Sequence, residues 1–148
     1  MSNQFTHLSL SSGYSFKYGS AHPEQLIQRA AQFNMASLAL TDQNNLVGAI
    51  RFAQSCESFG IKPILGITLS FIQKSSKITL LAKSGSLSSL YRLVSGINTN
   101  TSDGVLTIEL LERFNQYSKN LIALLGPQSS LNKNLPIAKR LLPLVIIN

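Results

Sequence analysis

Short apolar runs alternate along this chain with segments in which apolar positions recur every three or four residues. Phe5 to Leu10 is the first run, and it ends in the small polar stretch Ser11-Ser12-Gly13, as a strand entering a loop does. Pro23 then suits a first helical position with Glu24 beside it, favourable to the helix dipole. Leu26, Ile27, Ala30, Ala31 and Phe33 share one helical face before Asn34-Met35 closes it. Ser37 to Thr41 is a continuous apolar run stopping at Asp42, which predicts a strand buried on both faces. A second helix is predicted from Asn45 onward, with Leu46, Val47, Ala49, Ile50 and Ala53 as its apolar positions and Gly60 as its left-handed cap.

Ile61 to Leu69 reads as the third strand, with Pro63 near its start where a missing amide donor does least harm, and Ile78 to Ala82 as the fourth. Ser84 or Ser86 caps a helix carrying Leu87, Leu90, Tyr91 and Val94, which Gly96 is expected to end before a loop from Asn98 to Gly104. Thr107 caps a short helix bearing Leu110, Leu111 and Phe114, and Leu121 to Leu125 is a further strand. A short helix around Pro136 to Leu141 and the run Leu144 to Ile147 finish the chain. Strands alternating with helices at spacings of roughly twenty residues imply parallel strands joined by helical crossovers, hence an α/β sheet or barrel. In such folds functional groups gather at the carboxyl ends of strands, here residues 9–12, 41–45, 66–68 and 126–128.

Composition narrows the chemistry. At 148 residues and 44% apolar content the chain is expected to form one domain over residues 1–148, with a core that needs neither disulfide nor metal. The single Cys56 excludes an internal disulfide framework and reads as a small apolar helix residue. No apolar stretch has membrane-spanning length and the first residues lack a signal-peptide pattern, so a cytoplasmic location without a membrane partner is expected. Thirteen Lys and Arg against six Asp and Glu give +7, which favours an anionic partner; the cations are dispersed, with no run of like charge. No phosphate-binding glycine loop occurs, and neither His7 nor His22 sits in a frame that would activate a serine. His22 reads as a helix-start or surface residue. Tyr14-Ser-Phe-Lys-Tyr18 surrounds a lysine with aromatics, and a loop folding over the mouth of a barrel is favoured over base stacking.

Three separated stretches carry a resemblance. They are Phe5-Thr-His-Leu-Ser-Leu-Ser-Ser-Gly-Tyr-Ser15, Leu38-Ala-Leu-Thr-Asp-Gln-Asn-Asn-Leu-Val-Gly-Ala49 and Gly60-Ile-Lys-Pro-Ile-Leu-Gly66. In order and spacing they resemble the polymerase and histidinol phosphatase (PHP) domain, in the version at the N-terminus of bacterial DNA polymerase III alpha subunits. Leu80-Leu-Ala-Lys83, Leu90-Tyr-Arg-Leu-Val-Ser95 and Leu121-Ile-Ala-Leu-Leu-Gly126 continue it. The resemblance implies a partial, distorted (β/α) barrel with mostly parallel strands. In relatives the strand ends carry a trinuclear metal cluster for phosphoesterase or proofreading exonuclease chemistry.

The ligand positions that the resemblance marks are substituted here. In the family's opening motif, His-Leu-His-x-His-Ser, the two ligating histidines fall on Ser9 and Ser11, and His7 matches only the first, non-ligating one. The aspartate before the closing glycine is Tyr18. Asp42 keeps the Thr-Asp pair, but the histidine after it is Gln43. Gly-x-Glu becomes Gly66-Ile67-Thr68, and Ser-Gly-Cys becomes Leu125-Gly126-Pro127. Neutral oxygens and amides do not hold divalent ions against water, so no metal, no cofactor and no catalytic residue is expected. Asp42 is expected instead to cap the second helix. The resemblance then implies a degenerate, non-catalytic domain for DNA replication, the N-terminal fragment of a DNA-directed DNA polymerase (a nucleotidyltransferase). Its partners would be the rest of that chain, a proofreading exonuclease subunit and nearby DNA, with a dimer through an open barrel edge as another use of the surface. An error-prone homologue of the same polymerase and a free-standing metal-dependent phosphoesterase are the alternatives.

Overall fold

A computed structural model describes residues 5–70, 77–102, 105–126 and 145–147. The chain forms two compact units, Met1–Ile67 and Thr68–Asn148. The first holds helices α1 (Pro23–Gln32) and α2 (Ala49–Ser58), strand β1 (Ser37–Leu40) and most of β2 (Lys62–Ser70). β1 and β2 pair in parallel, with Ser37 opposite Lys62 and Leu40 opposite Leu65, as a strand–helix–strand crossover requires. Residues 7–10 run beside β1: Ala39 N–H donates to the His7 carbonyl at 2.9 Å and Thr41 N–H to that of Leu10 at 2.8 Å. The predicted first strand is thus an extended segment tied to β1 at two points.

The helices bury their apolar faces as their spacing predicts. Ile27 and Ala30 of α1 and Phe52 and Cys56 of α2 close over Leu38, Leu40 and Ile61. Burying a side chain such as Ile27 or Phe52 contributes about 1.5–3 kcal/mol. The Glu24–Arg51 pair between the helices, 3.3 Å apart and exposed, adds little by comparison. Gly60 (φ +67°) follows α2 in the left-handed conformation expected of it. α2 begins four residues later than its apolar pattern predicts, because Asn45 is committed to a turn: its amide donates to the Gln43 and Tyr14 carbonyls and its Oδ1 accepts from Val47 N–H.

Cys56 lies fully buried in α2, and burial pushes its thiol up from an ordinary 9.0 to about 11. A raised pKa means that the folded state favours the protonated thiol. Its contribution to stability is intact below pH 9 and is lost as pH climbs through 11. The native chain is therefore expected to resist iodoacetamide at pH 8 and to react at the rate of a free cysteine once denatured. Equal rates in both states, read by mass spectrometry, would refute that placement.

The second unit holds β3 (Lys77–Ala82), α3 (Leu87–Asn100), α4 (Ile108–Arg113), α5 (Asn115–Ser118), β4 (Leu121–Leu125) and β5 (Val145–Ile147). Its strand order runs from the end of β2 through β3 and β4 to β5. β4 and β5 are parallel, whereas β3 and β4 are antiparallel, with Leu80 opposite Ala123. Only six residues separate β2 from β3, fewer than a parallel crossover needs. Ile78, Leu80, Leu90, Leu93, Ile97, Leu106, Leu111, Leu121, Ala123 and Leu125 form the buried interior. Thr107 caps α4 as expected, accepting from Leu110 N–H at 3.1 Å. Gly96 does not end α3, which continues to Asn100. A Cβ there would lie 2.5 Å from the Phe114 ring, so this glycine serves close packing. The helix expected at Pro136 to Leu141 lies outside the described residues.

Candidate functional site

The ends of β1 and of the segment beside it carry one concentrated polar feature. Asp42 is 2% exposed, and its carboxylate accepts three hydrogen bonds from the loop that follows residue 10. Ser12 N–H and Ser15 Oγ donate to Oδ1 at 2.7 and 2.6 Å, and Ser12 Oγ donates to Oδ2 at 2.7 Å. Such lengths are those of charge-assisted bonds. Both serine hydroxyls are also acceptors: Ser12 Oγ takes Tyr14 N–H at 3.2 Å and Ser15 Oγ takes Gln43 N–H at 2.8 Å. A hydroxyl has one proton, so these amides fix the serines as donors toward Asp42.

Backbone bonds complete the loop. Ser15 N–H donates to the Ser12 carbonyl, Tyr18 and Gly19 N–H to that of Ser15, and Gly13 N–H to that of Ala21. Thr41 Oγ1 accepts from Leu10 N–H at 2.9 Å. Gly19 passes so close to the loop's start that a Cβ on it would overlap the Ser12 carbonyl oxygen and lie 2.6 Å from that of Ser11. Gly48, ahead of α2, is pressed likewise against the Tyr14 ring. Asp42 therefore does not cap α2, which carries no side-chain cap; its carboxylate is spent on a loop some thirty residues earlier.

The other marked positions fall as follows. Ser9 is exposed and Ser11 half-buried. His7 is exposed, its ring edge-on to Phe5 with centroids 4.6 Å apart. Tyr18 is 56% exposed and Gln43 half-buried. Thr68 belongs to the second unit, where its hydroxyl meets that of Thr79 at 3.0 Å. Pro127 lies outside the described residues. His22 stands at the start of α1, and its N–H donates to the Gln25 side chain. The structure thus gathers Asp42, Gln43 and Ser11 around the loop. It adds Ser12, Ser15 and Gly19, whose part in the loop the sequence did not reveal, although Ser12 and Gly19 occupy the serine and the closing glycine of the family's opening motif. Among the described residues no three His, Cys, Asp or Glu side chains form a group able to hold a metal ion, and no helix is long and apolar enough to cross a membrane.

A parallel strand pair joined by a helical crossover, with a polar cluster at its carboxyl end, defines an α/β domain. Residues 7–136 match the family described as the PHP domain, and the chain belongs to that family. It is 38% identical over 139 residues to the DNA polymerase III subunit alpha of Buchnera aphidicola (subspecies Acyrthosiphon pisum), covering 88% of this chain and 12% of that one. It is 42% identical over 78 residues to the error-prone DNA polymerase of Symbiobacterium thermophilum, covering 53% of this chain and 7% of that one. The chain therefore spans about an eighth or less of the length of these relatives. Among solved structures, a two-domain protein from Bacteroides vulgatus with a PHP-like metal-dependent phosphoesterase is similar at a TM-score of 0.59. It shares 10% identity, covering 88% of this chain and 36% of that one, a likeness of fold.

Proposed function

We infer that this chain is a metal-free PHP domain of a DNA polymerase III alpha-type chain, one domain over residues 1–148, serving as a structural and protein-interaction scaffold without nuclease activity of its own. The observation that carries this reading is the use made of Asp42. It is the one acid at the strand ends 9–12, 41–45 and 66–68, and both of its oxygens are occupied by Ser12 and Ser15. The other positions that the family fills with histidine, aspartate and glutamate are Ser9, Ser11, Tyr18, Gln43 and Thr68. A single carboxylate already satisfied by three protein donors, with neutral hydroxyls and an amide beside it, does not fit a cluster of divalent ions. The parent polymerase would supply catalysis, and a separate exonuclease subunit would supply proofreading. The match to an error-prone polymerase supports a second reading, in which the parent chain belongs to that branch.

Metal loading tests the first part directly. After incubation with excess Mn²⁺ or Zn²⁺ and desalting, the chain is expected to retain no stoichiometric metal by elemental analysis and to release no phosphate from p-nitrophenyl phosphate. Retention of one or more ions per chain together with metal-dependent turnover would overturn the reading. Capture of the exonuclease subunit by the immobilised chain tests the scaffold role.

A further inference from the structure

The charge of this chain is divided unevenly. Residues 68–148 hold nine of the thirteen Lys and Arg with three of the six acids, a balance of +6, against +1 in residues 1–67. No Asp or Glu occurs between Glu57 and Asp103, so β3 and α3 carry no carboxylate.

Four of the cations lie along one line of contacts. Lys83, just past β3, donates to the Lys119 carbonyl at 3.3 Å. Beside Lys119, the Asn120 amide reaches Ser89 Oγ at 3.5 Å on the first turn of α3. One turn on, the Arg92 guanidinium lies over the Tyr117 ring at 5.8 Å. Tyr117 stacks on Phe114, with centroids 6.3 Å and planes 21° apart, and the Arg113 guanidinium lies 5.7 Å from the Phe114 ring. Arg113 then donates to Asn100 Oδ1 at 2.9 Å, at the far end of α3. Lys83, Arg92, Arg113 and Lys119 are all exposed. Glu109 is engaged at the start of α4, where its own backbone amide and the Thr107 hydroxyl hold its carboxyl below the usual range.

We propose that this strip, Lys83–Lys119–Arg92–Arg113, is a path for single-stranded nucleic acid. The four cations pair phosphates, and the ring-backed guanidinium planes of Arg92 and Arg113 stack bases. Ser89 to Asn100 spans roughly 16 Å of helix, the length of about five stacked nucleotides. Guanidinium groups resting on rings are held in place before the ligand arrives, which lowers the ordering cost of binding. Base faces are open to such planes only in a single strand, since a duplex hides them. The strip acts independently of whether the domain holds a metal, so the metal-loading experiment and the one below fail separately.

Fluorescence anisotropy of a labelled twelve-residue oligo-dT with the 148-residue chain tests it. Binding is expected to weaken with salt at a log–log slope near −3, for four phosphates at about 0.7 each. Combining Lys83→Gln, Arg92→Gln, Arg113→Gln and Lys119→Gln should cost about tenfold or more in affinity and flatten that slope. Combining Lys17→Gln, Arg29→Gln, Arg51→Gln and Lys62→Gln removes the same charge from the first unit and should leave affinity within about twofold. Arg92→Lys with Arg113→Lys keeps charge and fold; it should lose about fivefold toward oligo-dT and nothing toward an abasic strand of equal length. Absence of binding at low salt, equal losses in the two Gln sets, equal affinity for duplex DNA, or displacement by polyglutamate as effective as by oligo-dT would each overturn the proposal. The last result would point to an acidic protein partner.

Discussion

Replacing Asp42 with alanine is expected to lower the melting temperature of the chain on the order of 10 °C, a loss of about 3–5 kcal/mol. Three donors converge on that carboxylate from Ser12 and Ser15, whose side chains are almost wholly buried. Alanine removes every acceptor at once, and water has little access to replace them. The cost is therefore the desolvation of orphaned donors more than the loss of favourable bonds. Asp42→Asn should recover only part of it. The asparagine oxygen satisfies one side, but its NH2 then faces a serine proton. That serine can offer its second lone pair to the NH2 only by turning its own proton away from the carboxamide, since its first lone pair accepts an amide N–H from Tyr14 or Gln43. Ser15→Ala, which removes one donor to the carboxylate and the hydroxyl that accepts Gln43 N–H, should fall between wild type and Asp42→Ala. Thermal melts of the four chains test the order, and an Asp42→Ala cost below about 1 kcal/mol would show that the loop does not depend on the carboxylate.

Much of the fold was legible because it is recorded locally. The runs at Ser37–Leu40 and Leu121–Leu125 are apolar over strand length and stop at Asp42 and Gly126, so their limits lie in the sequence itself. The same holds for α1, where Pro23 and the apolar spacing agree. The errors occur where a residue answers to a distant one. Gly96 resembles a helix stop, yet its missing side chain makes room for Phe114, eighteen positions later. Asn45 resembles a helix start, yet its amide holds the Tyr14 carbonyl, thirty-one positions earlier. β3 pairs antiparallel with β4 although three helices lie between them, where the alternation of strands and helices suggests another parallel crossover.

At the candidate site the division is the same. Family motifs located Asp42 and the substituted positions Ser9, Ser11, Tyr18 and Gln43, and they did so by sequence alone. They did not reveal how the carboxylate is used. An acid followed by two asparagines before an apolar stretch has the local signature of a helix cap, and the competing partners, Ser12 and Ser15, are 30 and 27 residues away. A signal was available in retrospect: Ser12 and Ser15 are polar residues in a glycine-containing loop whose burial demands partners. Asp42 was the acid placed at that end of the strands to provide them.

Gly19→Ala should approach Asp42→Ala in effect, costing about 3 kcal/mol, and by a different route. The added methyl would overlap the Ser12 carbonyl oxygen and crowd that of Ser11. Both are backbone atoms, so no side-chain rotation relieves the clash and the loop must open between residues 12 and 19. Opening it moves Ser12 and Ser15 away from Asp42, so the two substitutions damage one network. The double variant Gly19→Ala with Asp42→Asn should then cost less than the sum of the single ones, by roughly 1 kcal/mol. Other glycines provide the scale. Gly60 has φ +67° with nothing within 4 Å of an added Cβ, so Gly60→Ala incurs only the left-handed strain of about 1–2 kcal/mol. At Gly13 the nearest atom is 3.5 Å away, ordinary contact, and Gly13→Ala should be close to neutral. Denaturant titration of the wild type, the three glycine variants, Asp42→Asn and the double variant is the measurement. If Gly19→Ala is no worse than Gly60→Ala, or if its cost adds fully to that of Asp42→Asn, the loop and the carboxylate are not the single unit their hydrogen bonds describe.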